Sequence, residues 1–195
     1  MQLDLTKGMS LDLSKTENIE QIFVGANWGM IKHGGLFGFG ATKEKVDLDI
    51  SAIAVDERGN RIEWVFYERK NGNGISLDKD DRDGDDEDND EDNETLTIIP
   101  SKIDPKAAKV YFCLVSFLGQ TFKEIPYATM RMYDKNHQPL ANIAADIPNT
   151  PEFHNSTSII FAALERTPEG WSYRAITKST NCDSIEALAQ IVSAF

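Results

Sequence analysis

Residues 46–55 read VDLDISAIAV, a run rich in β-branched side chains. Such residues fit a pleated, half-buried surface. Successive side chains on a strand point to opposite faces. Val46, Leu48 and Ile50 therefore face one way, and Asp47 and Asp49 face the other. The stretch predicts a strand that packs into a core on one side and holds two carboxylates together on the other.

The same signature recurs on both sides of it. Toward the N-terminus, Leu3 and Leu5, then Met9, Leu11 and Leu13, alternate with polar residues around a turn at Lys7-Gly8, and IEQIFVGANW follows at 19–28. Toward the C-terminus come IEWVFYE at 62–68, TLTII at 95–99, KVYFCLVSF at 109–117, YATMRMYD at 127–134, TSIIFAALER at 157–166 and WSYRAIT at 171–177. Turn signals punctuate them: Glu57-Arg58-Gly59-Asn60, Asn71-Gly72-Asn73-Gly74, Leu118-Gly119 and Pro168-Glu169-Gly170. Many short strands with little helix predict a mainly β protein, a sandwich or a Greek-key barrel, with a β-sandwich of two antiparallel sheets the favoured form. The last element is a short C-terminal helix. Asp183 is placed to cap it, with Glu186 three residues on and an apolar stripe of Ile185, Leu188, Ile191 and Val192. No linker divides the chain, so residues 1–195 read as one domain.

Between two of these strands lies DKDDRDGDDEDNDEDNE, residues 78–94, with nine Asp and three Glu against one Lys and one Arg, a net charge of −10. The whole chain of 195 residues carries −12; subtracting leaves 20 acids and 18 bases over the other 178 residues. The protein is nearly neutral apart from one concentration of carboxylate. Water with diffuse counterions, a basic partner or a hard divalent cation must offset it. No Lys/Arg cluster exists to displace counterions from phosphates, which argues against nucleic-acid binding. No run approaches the roughly 18 apolar residues of a membrane span, and the N-terminal segment lacks a signal-peptide apolar core. Cys113 and Cys182 make no metal or redox spacing. Together these features predict a cytoplasmic protein without transmembrane segments.

Several segments, in order and nearly end to end, resemble the TerD family of bacterial tellurium-resistance and general stress proteins, including its TerX- and TerZ-like branch. LTKGMSLDLSK is similar to an opening L-x-K-G-x-x-x-S-L, VGANW to V-G-x-x-W, VDLDISA to D-L-D-A-S-A, and WVFYERK to the strand before an acidic loop. The Phe117–Ile125 segment resembles an S-F-x-x-V region, and ALERTPEGWSYRAI an E-L-Y-R … W-x-F-x-A ending. The resemblance implies a calcium-binding β-sandwich without firmly attached enzymatic activity. It also implies partners: other TerD-family proteins and a membrane protein of the same resistance cluster.

The residues suit that chemistry. Calcium takes six to eight oxygen ligands from carboxylates, carbonyls and water, which a strand-borne Asp47 and Asp49 beside an Asp/Asn/Gly-rich loop supply. A helix-loop-helix calcium hand does not fit. Asp81, Asp83 and Gly84 fall at loop positions three, five and six, but position one is then Lys79, position twelve is Asp90, and the flanks read as strands.

The family's loop resembles G-D-N-x-T-G-x-G-D-G-D-D-E followed by a strand, and two registers compete. By letters, Asp83-Gly84-Asp85-Asp86-Glu87 matches D-G-D-D-E; by distance to the next strand, Asp90 to Glu94 fits better. The second register favours Asp92 and Glu94, because a ligand anchored beside a strand costs less ordering entropy. Asp80 and Asp81 stand where G-D-N does, and Asp85, Asp86 and Asp90 complete the candidate ligands. One departure is plain: Gly29 follows Trp28 where the family has Asp.

Other readings compete with these. The acidic run also has the composition of a solvated, disordered interaction segment. A hydrolase using metal held by the Asp cluster is the enzymatic alternative, although a general base is not apparent and His33, His137 and His154 are scattered. The segment His33-Gly34-Gly35-Leu36-Phe37-Gly38-Phe39-Gly40 lacks the Lys-Ser/Thr of a phosphate loop. Its aromatics either cover a sandwich edge or dock a partner or membrane when calcium cancels nearby charge.

Overall fold

In the computed structural model, which describes residues 10–13, 19–34, 42–89, 91–144 and 146–195, the strand expected at 46–55 runs from Leu48 to Val55. Numbered in chain order, the strands are β1 (Ser10–Asp12), β2 (Ile22–Trp28), β3 (Ile31–His33), β4 (Thr42–Glu44), β5 (Leu48–Val55), β6 (Arg61–Val65) and β7 (Ile75–Leu77). They continue with β8 (Glu94–Ile98), β9 (Lys109–Ser116), β10 (Ala128–Asp134), β11 (Pro139–Ala144), β12 (Ser158–Thr167) and β13 (Gly170–Thr180), and end in helix α1 (Ile185–Val192).

One sheet has the order β1-β13-β12-β9-β5-β6 and a second β11-β10-β2-β8-β7, with β3-β4 as a separate hairpin. All described pairings between these strands are antiparallel. This is the expected sandwich; both sheets stay open, so no barrel forms.

Period-2 alternation explains the core. Leu48, Ile50, Ala52 and Ala54 of β5 and Val110, Phe112 and Leu114 of β9 enter the main core with Val24, Ala26 and Trp28 of β2. The opposite faces of β5 and β9 supply Ile53, Val55, Tyr111, Cys113 and Val115 to a second cluster, closed by Ile185, Leu188, Ala189 and Val192 of α1. Strands covered on both faces need apolar residues at nearly every position. That is why alternation fades after Asp49 and why β9 reads VYFCLV. Full burial of a side chain such as Leu188 contributes about 1.5–3 kcal/mol.

The differences from expectation have local causes. Ser184, not Asp183, caps α1: its Oγ accepts from the Ala187 N–H at 3.4 Å. The helix thus starts one residue later, which turns Ile185 and Leu188 toward the sheet. β3, β4 and β7 were not expected, since three residues are too few for a legible period. β11 was not expected either, since it opens on Pro139. Cys113 and Cys182 are free thiols. The expected strands at Leu3–Leu5 and Met9, and the Gly/Phe segment at 35–40, lie outside the described residues.

The acidic run joins β7 to β8, which are paired neighbours at one edge of the five-stranded sheet. It therefore emerges at the end of the sandwich where β2 finishes and β5 begins.

Candidate metal centre

The acidic loop is fastened to that end by backbone bonds. At its base Asp78 N–H donates to the Thr95 carbonyl (3.1 Å), and Asp78 Oδ1 accepts from the Thr95 N–H (2.8 Å). Further along, Val46 N–H donates to the Asp83 carbonyl, Asp85 N–H to the Trp28 carbonyl and Met30 N–H to the Asp85 carbonyl, each at 3.0 Å. Gly84 lies between these bonds with φ +75° and is buried; a Cβ there would come 2.9 Å from Trp28 Cδ1. Only glycine takes that backbone and that space without strain.

Where the loop returns, Asn93 N–H donates to the Ala26 carbonyl (2.8 Å), and Trp28 N–H donates to Asn93 Oδ1 (2.7 Å). The Trp28 indole N–H reaches the Val46 carbonyl at 2.8 Å.

This strapping carries Asp80 to the carboxylates of Asp47, just before β5, and Asp49, on it. One oxygen from each of Asp47, Asp49 and Asp80 lies within 4.8 Å of the others, the one such acidic or imidazole grouping among the described residues. Asp47 and Asp49 are each only 7% exposed, and Asp47 Oδ1 has no hydrogen-bond partner. Burial pushes the Asp49 carboxyl up to about 7, with Asp47 and Asp80 adding to the effect. Burial likewise pushes Asp47 up to about 6, with Asp80 the largest charge contribution. Arg82 bears on the cluster from outside: Nε (2.9 Å) and Nη2 (2.7 Å) both donate to Asp80 Oδ2, and the guanidinium stays largely in solvent.

Glu94 and Asp81 stand behind these three. β6 pairs with β5 only from Ala52 onward, so the Ile50 N–H is left open on that edge. Glu94 Oε2 takes it at 3.0 Å, and Oε1 accepts from the Asp81 N–H at 3.1 Å. Glu94 is 0% exposed, and burial pushes its carboxyl up to about 9 despite those two bonds. Asp81 Oδ1 in turn accepts from the Asp83 (3.1 Å) and Gly84 (3.0 Å) N–H groups, which shapes the bend.

The remaining acids go elsewhere. Asp92 accepts from Arg131 Nε (2.8 Å) and Tyr133 Oη (2.9 Å) of β10. Its carboxylate fills the space over Gly25, where a Cβ would lie 2.0 Å from Oδ2. Asp86 meets Lys32 and Lys43, and Asp83 meets Lys45 at 2.6 Å. Asp85 takes part through its backbone. Asp90 lies outside the described residues. Of the sequence candidates, the structure gathers Asp47, Asp49 and Asp80, sets Glu94 and Asp81 against them, and turns Asp92 and Asp86 toward basic side chains.

Sequence reading missed Asn93, Gly84 and Gly25, all of which position the loop. An Asn just before a strand and a Gly inside an acidic run were the available signals. Gly29 also has a reason: a Cβ there would come 2.2 Å from the Tyr127 ring, so an aromatic just before β10 fills the room an Asp side chain would need.

Carboxylates left with so little neutralisation fit a hard cation. A calcium–oxygen distance of about 2.4 Å places opposed ligands about 4.8 Å apart. The clustered oxygens of Asp47, Asp49 and Asp80 would supply part of such a donor set.

The comparisons with known proteins agree with the fold. The chain is 26% identical over 196 residues to the tellurium resistance protein TerZ of Serratia marcescens, covering 98% of each. It is 28% identical over 210 residues to TerX of the same organism, covering 94% of this chain and 96% of that one. Among solved structures, a homologue of the telluride resistance protein TerD from Streptomyces coelicolor A3(2) superposes with TM-score 0.70 at 14% identity, covering 90% of this chain and 98% of that one. A protein of unknown function gives the same score at 18% identity, covering 90% and 97%. At those identities the superpositions speak for the fold alone. The TerD domain profile matches residues 1–193, and the chain belongs to the TerD domain family.

Proposed function

We propose that this chain is a calcium-binding, non-enzymatic stress-response protein of the tellurite-resistance type, acting in the cytoplasm. Membership in the TerD family and similarity to proteins named for tellurium resistance support the resistance role. The observation that carries the calcium reading is the convergence of Asp47, Asp49 and Asp80 within 4.8 Å, with Asp47 Oδ1 buried and unpartnered.

Bound calcium would supply positive charge to those carboxylates and fix the acidic loop relative to β5. The chain's own residues transmit that change. Phe117 N–H donates to the Asp47 carbonyl at 2.9 Å, and Phe117 and Leu118 are each 53% exposed. An apolar turn thus sits one hydrogen bond from a ligand, at the place where neutralised charge would favour docking. Partners in this reading are other TerD-family proteins and a membrane protein of the same resistance cluster. No helix among the described residues is long and apolar enough to cross a membrane.

Calorimetric titration with calcium and magnesium, with melting curves beside it, tests the reading. Heat of binding and a raised melting temperature are expected, as for any ligand that prefers the folded state. Neither heat nor a melting shift at millimolar calcium would sink it. Metal-dependent phosphodiesterase turnover would replace it with the hydrolase alternative.

A further inference from the structure

Asp49 also borders a second space. A cavity of about 90 Å³ lies between the outer face of the six-stranded sheet and the first turn of α1, with Asp49 and Ser51 in its lining. About 15 Å³ is enough to admit one water. Ser51 is 2% exposed and its Oγ has no hydrogen-bond partner, an arrangement that asks for a polar occupant. The walls are aromatic. Tyr67 meets Phe66 edge-on at 5.4 Å and Phe117 edge-on at 5.7 Å.

The rim is acidic, with exposed Glu68 on the sheet side and exposed Asp183 and Glu186 on the helix side. No Lys or Arg lines the cavity among the described residues. The Tyr67 hydroxyl registers that convergence: burial raises its pKa first, then the charges of Glu68, Asp49 and Glu186.

We infer that this cavity binds a compact organic cation, a primary ammonium on a short alkyl chain. An anion would be repelled by the rim carboxylates of Glu68, Asp183 and Glu186, and a neutral apolar group would leave Asp49 and Ser51 unpaired. A hard metal ion wants six to eight oxygens, and here rings occupy the walls. An ammonium has three donors for Asp49, Ser51 and a rim carboxylate, and its alkyl chain packs between rings whose faces attract cations. Free polyamines and lysine side chains of a partner share that chemistry.

Because Asp49 belongs to both sites, calcium and amine share one carboxylate. Each therefore weakens the other by the same factor, a coupling that rests on the calcium reading.

The test is a two-dimensional amide NMR titration of the calcium-free chain with n-propylammonium chloride, against potassium chloride at matched ionic strength. Saturable shifts are expected at Ser51, Phe117 and Ser184–Glu186, with half-saturation at about 1–10 mM, the range open to so small a ligand. Asp183→Asn and Glu186→Gln, both on exposed side chains, should together weaken binding at least threefold. Saturating calcium should also weaken it.

Shifts no larger than those of the salt blank would overturn the inference. So would shifts confined to the acidic loop, or shifts indifferent to the double substitution. A capped lysine peptide run against 1,3-diaminopropane separates the sources, the tighter binder naming which. Amine binding without calcium binding leaves this inference standing and removes the calcium reading; the converse does the opposite.

Discussion

Two buried carboxylate sites, Asp92 at the end of the acidic loop and Asp47 with Asp49 at the start of β5, differ in how they are neutralised. Asp92 is 8% exposed in its side chain, and Arg131 and Tyr133 of β10 both donate to it. Asp47 and Asp49 are buried about as deeply, but the nearby guanidinium, Arg82, spends its donors on Asp80. Burial of a charge is tolerated where a partner offsets it and stays costly elsewhere. The density of acids along 78–94 therefore does not locate a metal site. On the calcium reading, the site lies where the fold gathers Asp47, Asp49 and Asp80 and leaves the first two without an ion pair among the described residues.

The largest expected effect comes from exchanging the two behaviours. Asp49→Asn should weaken calcium binding on the order of 100-fold, since partners merely behind a ligand are worth 10–100-fold. It should also stabilise the calcium-free chain near pH 8 by removing a repelled charge. Asp92→Asn should leave calcium affinity within about threefold while costing about 1–3 kcal/mol of stability, because it strips charge-assisted bonds from Arg131 and Tyr133. Calorimetry and denaturant melts on both variants measure the contrast. Equal losses of affinity would erase it.

Backbone substitutions divide the loop in the same way. Gly84→Ala forces a side chain into φ +75° against Trp28 and should cost about 2–3 kcal/mol, with loss of calcium affinity because Asp83 and Asp85 shift off Val46 and Trp28. Gly25→Ala would push its Cβ into the Asp92 carboxylate at 2.0 Å and should cost a similar amount, with calcium affinity nearly kept. Denaturant unfolding and calorimetry give the two readouts.

Dependence on pH follows from the same asymmetry. Asp47 and Asp49 hold protons in the folded chain up to about 6 and about 7, and Glu94 up to about 9, whereas unfolded carboxyls lose them near their ordinary values. Between those limits the folded state binds more protons, so stability falls as pH rises. The calcium-free chain should melt higher at pH 5 than at pH 8, by about 5 °C or more. Calcium, which needs the ionised carboxylates, should shrink or reverse that gap. A calcium-free chain more stable at pH 8 would place the cations elsewhere.

Much of the frame was legible because it is local. β5, β9, β12 and β13 announce themselves by β-branched and aromatic runs, and Asp47 and Asp49 share a face by parity alone. What was not legible depends on distant pairings. Strand proximity favours both Asp92 and Glu94 as ligands, yet the chain bends at Asn93, whose side chain is spent on Trp28. Glu94 then meets the open Ile50 N–H, while Asp92 meets residues 39 and 41 positions away. No local pattern records that β10 runs beside β2 with Arg131 opposite Gly25. Nor does one record that β6 stops short of Ile50.

The smallest expected effect probes the loop's outer charges. Lys45 pairs with Asp83 at 2.6 Å, but the two side chains are 66% and 54% exposed, and Asp83 acts on the site through its carbonyl bond to Val46. An exposed pair of this kind is worth about 0–1 kcal/mol. Lys45→Gln should therefore change stability by less than about 0.5 kcal/mol, and its effect on calcium should be long-range. Removing one positive charge near the cluster should tighten calcium binding by less than about threefold at low salt. The gain should vanish at 1 M salt, where screening acts within about 3 Å. An effect that persists at high salt would mean that the ammonium touches the bound cation's ligands directly, and the division between neutralised and withheld carboxylates would have to be redrawn to include Asp83.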